Sequence, residues 1–305
     1  MTLHPIGAEA KNAAIMMLNP TSTERVVSPL EVSATVVKEI GKNLLMTIPA
    51  VSRLRAKRGR TALPPEPREL QRYVFDLFES VTGYAGGVAG KSVLEIGPGD
   101  NLVTGLAFIA AGAKSYTALD RFPGDYASED ARRWYRLLAN HWPYGAWPAG
   151  LDPDRFPDHL AVFSKGDAVE TVNGLDRYDV VCSFAVGEHV SNIDQFALLT
   201  YDALSPEGVA VHAIDFGGHQ WNRFGDPFLF LKFPAAVWQM MGSARGEPNR
   251  VRFDAFKACF KRAGLSVEVP FRLSCTFDAN DKWVAQRADA DFLTTEAIFV
   301  LRRTN

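Results

Sequence analysis

Two glycines lie between two acidic residues in a pattern that suits ligand binding. Glu95 comes near the end of an apolar run and precedes Gly97 and Gly99, and a second apolar run ends downstream in Asp120. Glycines at a turn from a strand into a helix let backbone N–H groups approach a ligand closely, and a carboxylate at the end of the next strand can accept both hydroxyls of a ribose. We therefore predict a cofactor that contains adenosine.

Two kinds of cofactor compete for this motif. A dinucleotide site would have a third glycine, as in G-x-G-x-x-G, where the helix packs closely on the strand. Leu102 stands at that position. Glu95 suits a cationic group, such as the amino acid end of S-adenosylmethionine, better than it suits a pyrophosphate. The sequence therefore favours S-adenosylmethionine, and a nicotinamide-dependent oxidoreductase is the less favoured alternative.

The ordered motifs resemble motifs I and II of the class I S-adenosylmethionine-dependent methyltransferases, and the resemblance covers about residues 92–302. It implies an α/β fold: a Rossmann-like seven-stranded sheet with an antiparallel last strand and helices on both faces. It implies S-adenosylmethionine as the cofactor and methyl transfer as the reaction. By this resemblance Asp167, in a Gly-Asp-Ala segment, takes the adenine amino group with Ala168 beside the ring, and Ser183 and Phe184 line the sulfur end. The expected cofactor-binding residues are Glu95, Gly97, Pro98, Gly99, Asn101, Asp120, Arg121, Asp167, Ala168, Ser183 and Phe184.

Two histidines follow core strands and are candidates for a general base. Methyl transfer from a sulfonium is an in-line displacement, which needs positioning and, where the acceptor carries a proton, a base such as histidine. His189 follows the fourth strand in a Glu-His-Val sequence, and His219 follows the fifth, where Asp215 could orient it or act itself. The alternative is that these side chains only order their loops, with Glu188 as a partner of His189. The spacing shows no metal-ligand pattern, so no metal is expected.

Alternating strand and helix patterns predict the elements that position these residues. A helical extension or lid is expected at residues 1–88, and the cofactor-binding domain at 89–305 with inserts at about 122–157 and 216–248. Both inserts are rich in aromatic residues, which suit either packing or an aromatic wall over the cleft. The expected strands are 92–96, 115–119, 160–163, 178–184, 209–214, 266–271 and 295–301. The expected helices are 30–57 with a break near Pro49, 69–81, 102–111, 193–204 and 252–263.

Composition narrows the class of partner. The 305 residues carry a formal net charge of −2 and no apolar stretch that could span a bilayer, so neither nucleic acid nor a membrane is expected. Three widely spaced cysteines fit neither a disulfide framework nor a zinc knuckle. We expect a cytoplasmic methyltransferase for O or N of a small acceptor, aromatic or apolar, with a homodimer as a compatible assembly. A non-catalytic S-adenosylmethionine-binding protein is the alternative.

Overall fold

Seven strands form one sheet in the computed structural model, which describes residues 28–48, 50–51, 66–121, 123–159, 161–164, 177–242, 248–278 and 280–304. The strands are β1 (Ser92–Ile96), β2 (Ser115–Asp120), β3 (Ala161–Ser164), β4 (Tyr178–Phe184), β5 (Leu204–Asp215), β6 (Leu265–Ser274) and β7 (Thr294–Arg303). Their order is β3-β2-β1-β4-β5-β7-β6. The pairs among the first five strands are parallel, and β7 runs antiparallel to both β5 and β6. The predicted seven-stranded sheet with an antiparallel last strand is confirmed.

Helices cover both faces of this sheet. They are α1 (Pro29–Met46), α2 (Pro67–Leu70), α3 (Asp76–Ala85), α4 (Val103–Ala110), α5 (Glu129–Asn140), α6 (Ile193–Ala203), α7 (Leu229–Lys232), α8 (Ala235–Gly242), α9 (Phe253–Arg262) and α10 (Lys282–Ala285). Successive strand side chains point to opposite faces, so Val93 packs with α3, α4 and α5, whereas Leu94 packs with α6 and α9. The sheet is therefore buried on two sides, and ligands must reach it at its edges or strand ends.

The chain before β1 forms two helical stretches with different partners. α1 begins where predicted, because Ser28 caps it and Glu31 completes a capping box, and it ends at Met46. The Asn43 side chain donates a hydrogen bond to the Met240 carbonyl of α8 at 3.0 Å, so α1 lies beside the predicted second insert. A π-helical segment, Gln71–Phe75, joins α2 to α3. This second stretch packs in the hydrophobic core that covers one face of the sheet. The boundary at residue 88 stays a prediction.

β5 starts earlier than the sequence indicates. The Pro-Glu-Gly sequence at 206–208 predicts a turn, yet Leu204 already pairs with Tyr178 and Val209 then pairs with Val180. Residues 205–208 are therefore accommodated as an irregularity between two paired positions of one strand. The carboxyl end of β5, which carries Asp215, keeps its predicted place.

The aromatic residues of the two inserts pack in separate clusters. Trp134 and Tyr135 join the core beside α3 and α4, whereas Trp221 and Trp238 form a smaller cluster with Phe230, against which α1 packs. Within the described ranges, no helix combines the length and the apolar character needed to cross a membrane. The second cluster places buried aromatic side chains next to the segment that follows β5 in the chain.

Candidate functional site

The glycine loop after β1 has a backbone that only glycine adopts easily. Gly97 and Gly99 have φ angles of +73° and +79°, in the left-handed region. A Cβ on Gly97 would lie 2.4 Å from Cγ2 of Val186, whereas a Cβ on Gly99 would meet no atom within 4 Å. Packing explains the first glycine. The second faces open space, which is what close approach of a ligand to the backbone requires.

Asp120 at the end of β2 contacts this loop directly. Its Oδ2 accepts a hydrogen bond from the Gly99 N–H at 3.2 Å. The Asn101 side chain accepts a hydrogen bond from the Val103 N–H at 3.0 Å, which forms an Asx turn just before α4. The structure therefore brings together the glycine loop and the strand-end carboxylate that the sequence singles out, with Pro98 inside the loop and Arg121 exposed beside it.

Glu95 lies beneath the loop and not in the open space above it. Its side chain is buried, and its Oε2 accepts a hydrogen bond from the Tyr116 hydroxyl at 2.6 Å. Burial raises the pKa of Glu95 to about 7; the Tyr116 hydrogen bond opposes this rise, and the charge of Asp120 adds to it. Glu95 is therefore a buried, hydrogen-bonded carboxyl at the end of β1, directly before the glycine loop.

Close packing of the helix on the strand is achieved at a glycine that sequence reasoning missed. Leu102, at the third position of a dinucleotide motif, is fully buried. Gly105, one turn further along α4, supplies the space instead, because a Cβ there would lie 2.2 Å from the Tyr116 ring. The signal in the sequence was a glycine inside an otherwise good helix.

The two predicted contacts in β4, Ser183 and Phe184, lie on opposite faces of the sheet. Ser183 is fully buried and its hydroxyl lies 2.7 Å from Nδ1 of His212 on the sheet face covered by α6 and α9. Burial lowers the pKa of His212 to about 3, so this pair is a neutral hydrogen-bonded unit. Phe184 is half-buried against the opposite face. Asp167 and Ala168 lie outside the described residues.

The candidate catalytic residues form a cluster at the ends of β4 and β5. The rings of His189 and His219 meet edge to face with their centroids 5.1 Å apart. Nε2 of His219 lies 3.1 Å from Oδ2 of Asp215 and 3.8 Å from Oε1 of Glu188. His219 has a φ of +51°, a strained value for a residue with a Cβ that often marks a functional position. The four side chains thus face one another across two loops.

Three buried carboxyl groups lie in or directly beside this cluster. Asp215 and Glu296 pair in register on β5 and β7, and Glu188 is 2% exposed. Burial raises the pKa of Glu296 to about 8, with a further contribution from Asp215, and burial holds the pKa of Glu188 well above its usual range. Sequence reasoning missed Glu296. Its signal was a lone acidic residue within the apolar run of the last strand.

The loop that carries Glu188 and His189 is held firmly. The Asn249 amide donates hydrogen bonds of 2.9 Å to the carbonyls of Gly187 and Val190. Val186, earlier in the same loop, lies against Gly97. One loop therefore links the glycine turn to the histidine cluster, and both sites sit at the carboxyl edge of the parallel strands, where ligands bind in open α/β sheets.

Fold and site together define an α/β protein of the Rossmann-like type with a ligand site at its glycine loop. A family model described as a methyltransferase domain matches residues 67–268. The chain belongs to this family, within the class I methyltransferases that take the methyl group from S-adenosylmethionine. The expected superfamily and cofactor are confirmed.

The chain is similar, at low sequence identity, to solved structures of methyltransferases. An S-adenosylmethionine-dependent methyltransferase from Mesorhizobium loti is 16% identical, with 71% of this chain and 92% of that chain covered and a TM-score of 0.39. Phosphoethanolamine N-methyltransferase 2 from Haemonchus contortus, in complex with S-adenosyl-L-methionine, is also 16% identical, with coverages of 75% and 52% and a TM-score of 0.42. The comparison with curated proteins returned no match.

The residues around the glycine loop fit S-adenosylmethionine. The space over Gly99 is open, a carboxylate suited to ribose hydroxyls lies beside it, and the buried Glu95 adds negative potential below.

Proposed function

We propose that this protein transfers the methyl group of S-adenosylmethionine to an oxygen or nitrogen atom of a small molecule. The observation that carries the proposal is the link between the two halves of the site. Val186 packs on Gly97, and Glu188 and His189 follow in the same loop. A cofactor at the glycine loop and an acceptor at the histidine cluster would therefore be neighbours.

In this proposal the loop residues position the cofactor. Asp120 accepts the ribose hydroxyls, Gly97 and Gly99 allow the backbone to approach the amino acid end, and Glu95 favours its positive charge from below. Asp167, Ala168 and Phe184 remain predicted contacts of the adenine and sulfur ends. Ser183 would contribute through its backbone, since its hydroxyl is occupied by His212. When bound, S-adenosylmethionine supplies a methyl group on an excellent leaving group.

His219 is the proposed proton acceptor. Asp215 lies beside Nε2 at 3.1 Å, where its charge would stabilise the protonated ring, so Nδ1 is the nitrogen that would face the acceptor. His189, in edge-to-face contact with this ring, would orient it or contact the acceptor. The protein would then position the cofactor and the acceptor and remove a proton from the acceptor, which is what an in-line displacement requires.

The acceptor is proposed to be small and partly aromatic or apolar. The aromatic cluster around Trp221 follows directly on His219 in the chain, and α1 packs against it, so apolar side chains lie next to the proposed proton acceptor. A cytoplasmic location and a homodimer stay predictions from the sequence.

Calorimetry with S-adenosylhomocysteine tests the cofactor half of the proposal. The wild-type chain is expected to bind, and Asp120→Ala to weaken binding by about 1.5–3 kcal/mol, the scale of hydrogen bonds to a charged group. Asp202→Ala, an exposed carboxylate on α6, is the matched control and is expected to leave the affinity unchanged. Absence of binding, or binding of a nicotinamide dinucleotide in its place, would overturn the proposal.

A screen of small-molecule acceptors with labelled cofactor tests the reaction. Once an acceptor is found, His219→Ala is expected to lower kcat by about 10²–10⁴ through loss of the base. His141→Ala, an exposed histidine on the far end of α5, serves as the control. A chain that binds cofactor but methylates no acceptor would instead favour a non-catalytic binding protein.

A further inference from the structure

We propose that Glu188, His189 and His219 form a binding site for one divalent transition-metal ion of the zinc type. Each side chain offers one ligand atom, and these atoms all lie within 4.8 Å of one another. Two imidazoles and a carboxylate are a common ligand set of open zinc sites, with the fourth position left for water or substrate. Residue spacing does not indicate this ligand set, because His219 is far from Glu188 and His189 along the chain, so the proposal departs from the sequence-based expectation of no metal.

The state of Glu188 favours an ion at this place. Its side chain is 2% exposed, and neither carboxylate oxygen has a hydrogen-bond partner of normal geometry among the described residues. A buried carboxylate that only the backbone N–H groups of Glu188 and Asp215 approach, without good geometry, carries a large desolvation cost. Nε2 of His219 lies 3.8 Å from its Oε1. A divalent cation between these atoms would satisfy both.

Asp215 supplies a second unsatisfied oxygen on the same side. Its Oδ2 is buried, lies 3.1 Å from Nε2 of His219, and likewise lacks a hydrogen bond of normal geometry within the described part of the chain. It would become a further oxygen ligand or hydrogen-bond a metal-bound water. The other oxygen, Oδ1, accepts the Gly217 N–H at 2.6 Å, which fixes the carboxylate.

The backbone holds the ligands in place from both sides. Asn249 fixes the turn of Glu188 and His189 through its two hydrogen bonds. The left-handed backbone at His219 turns its ring back towards the end of β5. Such support from surrounding groups is what metal sites need to keep their geometry.

Ligand chemistry decides the class of ion. Imidazole nitrogen suits zinc, copper, iron or nickel, whereas magnesium, calcium and manganese prefer oxygen ligands. A metal on Nε2 would occupy the nitrogen that Asp215 contacts, so metal binding and the Asp215–His219 pair exclude each other. The inference goes beyond the proposed function, because the ion would bind whether or not a methyl group is transferred. With the ion on Nε2, the His219 ring would be a ligand and not a proton acceptor, so the base role proposed above belongs to the metal-free protein.

The experiment uses tag-free full-length protein that has been stripped with a chelator. Titration with zinc chloride by calorimetry is expected to give one equivalent per chain, with a rise in Tm on saturation. Cobalt chloride is expected to give a visible absorption band that reports ligand binding, and magnesium chloride is expected to give neither signal. Absence of zinc and cobalt binding overturns the proposal.

Variants identify the ligands. Glu188→Gln keeps the side-chain shape, and both it and His219→Ala are expected to weaken zinc binding by at least about 100-fold, since loss of a supporting group alone costs 10–100-fold. His141→Ala is the control for exposed histidines. Binding that is equal in all variants, or that survives Glu188→Gln, overturns the proposal. Binding of S-adenosylhomocysteine by the same variants shows that they fold and separates this failure from failure of the proposed function.

Discussion

The two loop glycines make a matched pair for mutation to alanine. Both have left-handed backbones, so alanine at either position carries a strain of roughly 1–2 kcal/mol. At Gly97 the new Cβ would also lie 2.4 Å from Val186, and such overpacking adds roughly 1–3 kcal/mol. We expect Gly97→Ala to lower the free energy of unfolding by roughly 2–5 kcal/mol and Gly99→Ala by the strain alone, roughly 1–2 kcal/mol.

Urea denaturation and calorimetry separate the two effects. Gly99→Ala is expected to remain folded and to lose affinity for S-adenosylhomocysteine, because its Cβ fills the open space over the loop. The double variant Gly97→Ala with Val186→Ala removes the clash, so the two changes should couple favourably by roughly 1–3 kcal/mol in a double-mutant cycle.

Three results would refute this reasoning. Equal destabilisation by the two glycine variants would mean that Val186 does not press on Gly97. Additive effects in the double-mutant cycle would mean the same. Unchanged affinity in Gly99→Ala would mean that no ligand uses the space above that residue.

Three further predictions address the buried residues near the site. Because the pKa of Glu95 is raised to about 7, its negative charge forms as the pH rises through this value. The affinity of the wild type for S-adenosylhomocysteine should therefore increase between about pH 6 and 8, whereas that of Glu95→Gln should stay constant. A constant affinity in the wild type would contradict this prediction. Ser183→Ala should lower the free energy of unfolding by about 1–3 kcal/mol, because His212 loses its hydrogen-bond partner at Nδ1. Calorimetry should show an unchanged affinity for the cofactor. A large loss of affinity would instead indicate that the Ser183 hydroxyl contacts the cofactor. Gly105→Ala should lower Tm, because overpacking against Tyr116 costs roughly 1–3 kcal/mol. Gly83→Ala is the control, since a Cβ there meets no atom within 4 Å, and its Tm should be unchanged. Similar Tm values for the two variants would show that α4 can shift away from β2.

Most elements of the fold follow from local sequence patterns. The apolar runs and glycine stops placed α9 and β7 within a few residues of their observed bounds. The start of β5 was wrong because Pro-Glu-Gly is a turn signal, whereas pairing of Leu204 with Tyr178 is a tertiary contact that no local pattern contains. Likewise the sequence could expect α1 but not its docking on α8.

The site was predictable where a residue type and a strand end coincide. Asp120 and Asp215 were proposed in this way, and the structure places both at strand ends; their roles stay predictions. The directions of side chains were not predictable. Ser183 occupies a strand end, but strand alternation points its hydroxyl to His212, and the sequence does not say which face is which. Glu296 needed the register of β7 against β5, which joins residues far apart along the chain.

The position of β7 also determines how the sheet comes apart. Among the strands that the structure describes, β6 pairs with β7 alone. Any opening that frees β7 from β5 therefore releases both strands together and exposes a long unpaired edge on β5. The same opening separates Glu296 from Asp215 and uncouples the carboxyl cluster. The pair β6–β7 is thus a single cooperative unit, and hydrogen exchange should report one shared opening free energy for its amides. Loss of the acidic cluster and loss of the sheet edge would then be one event.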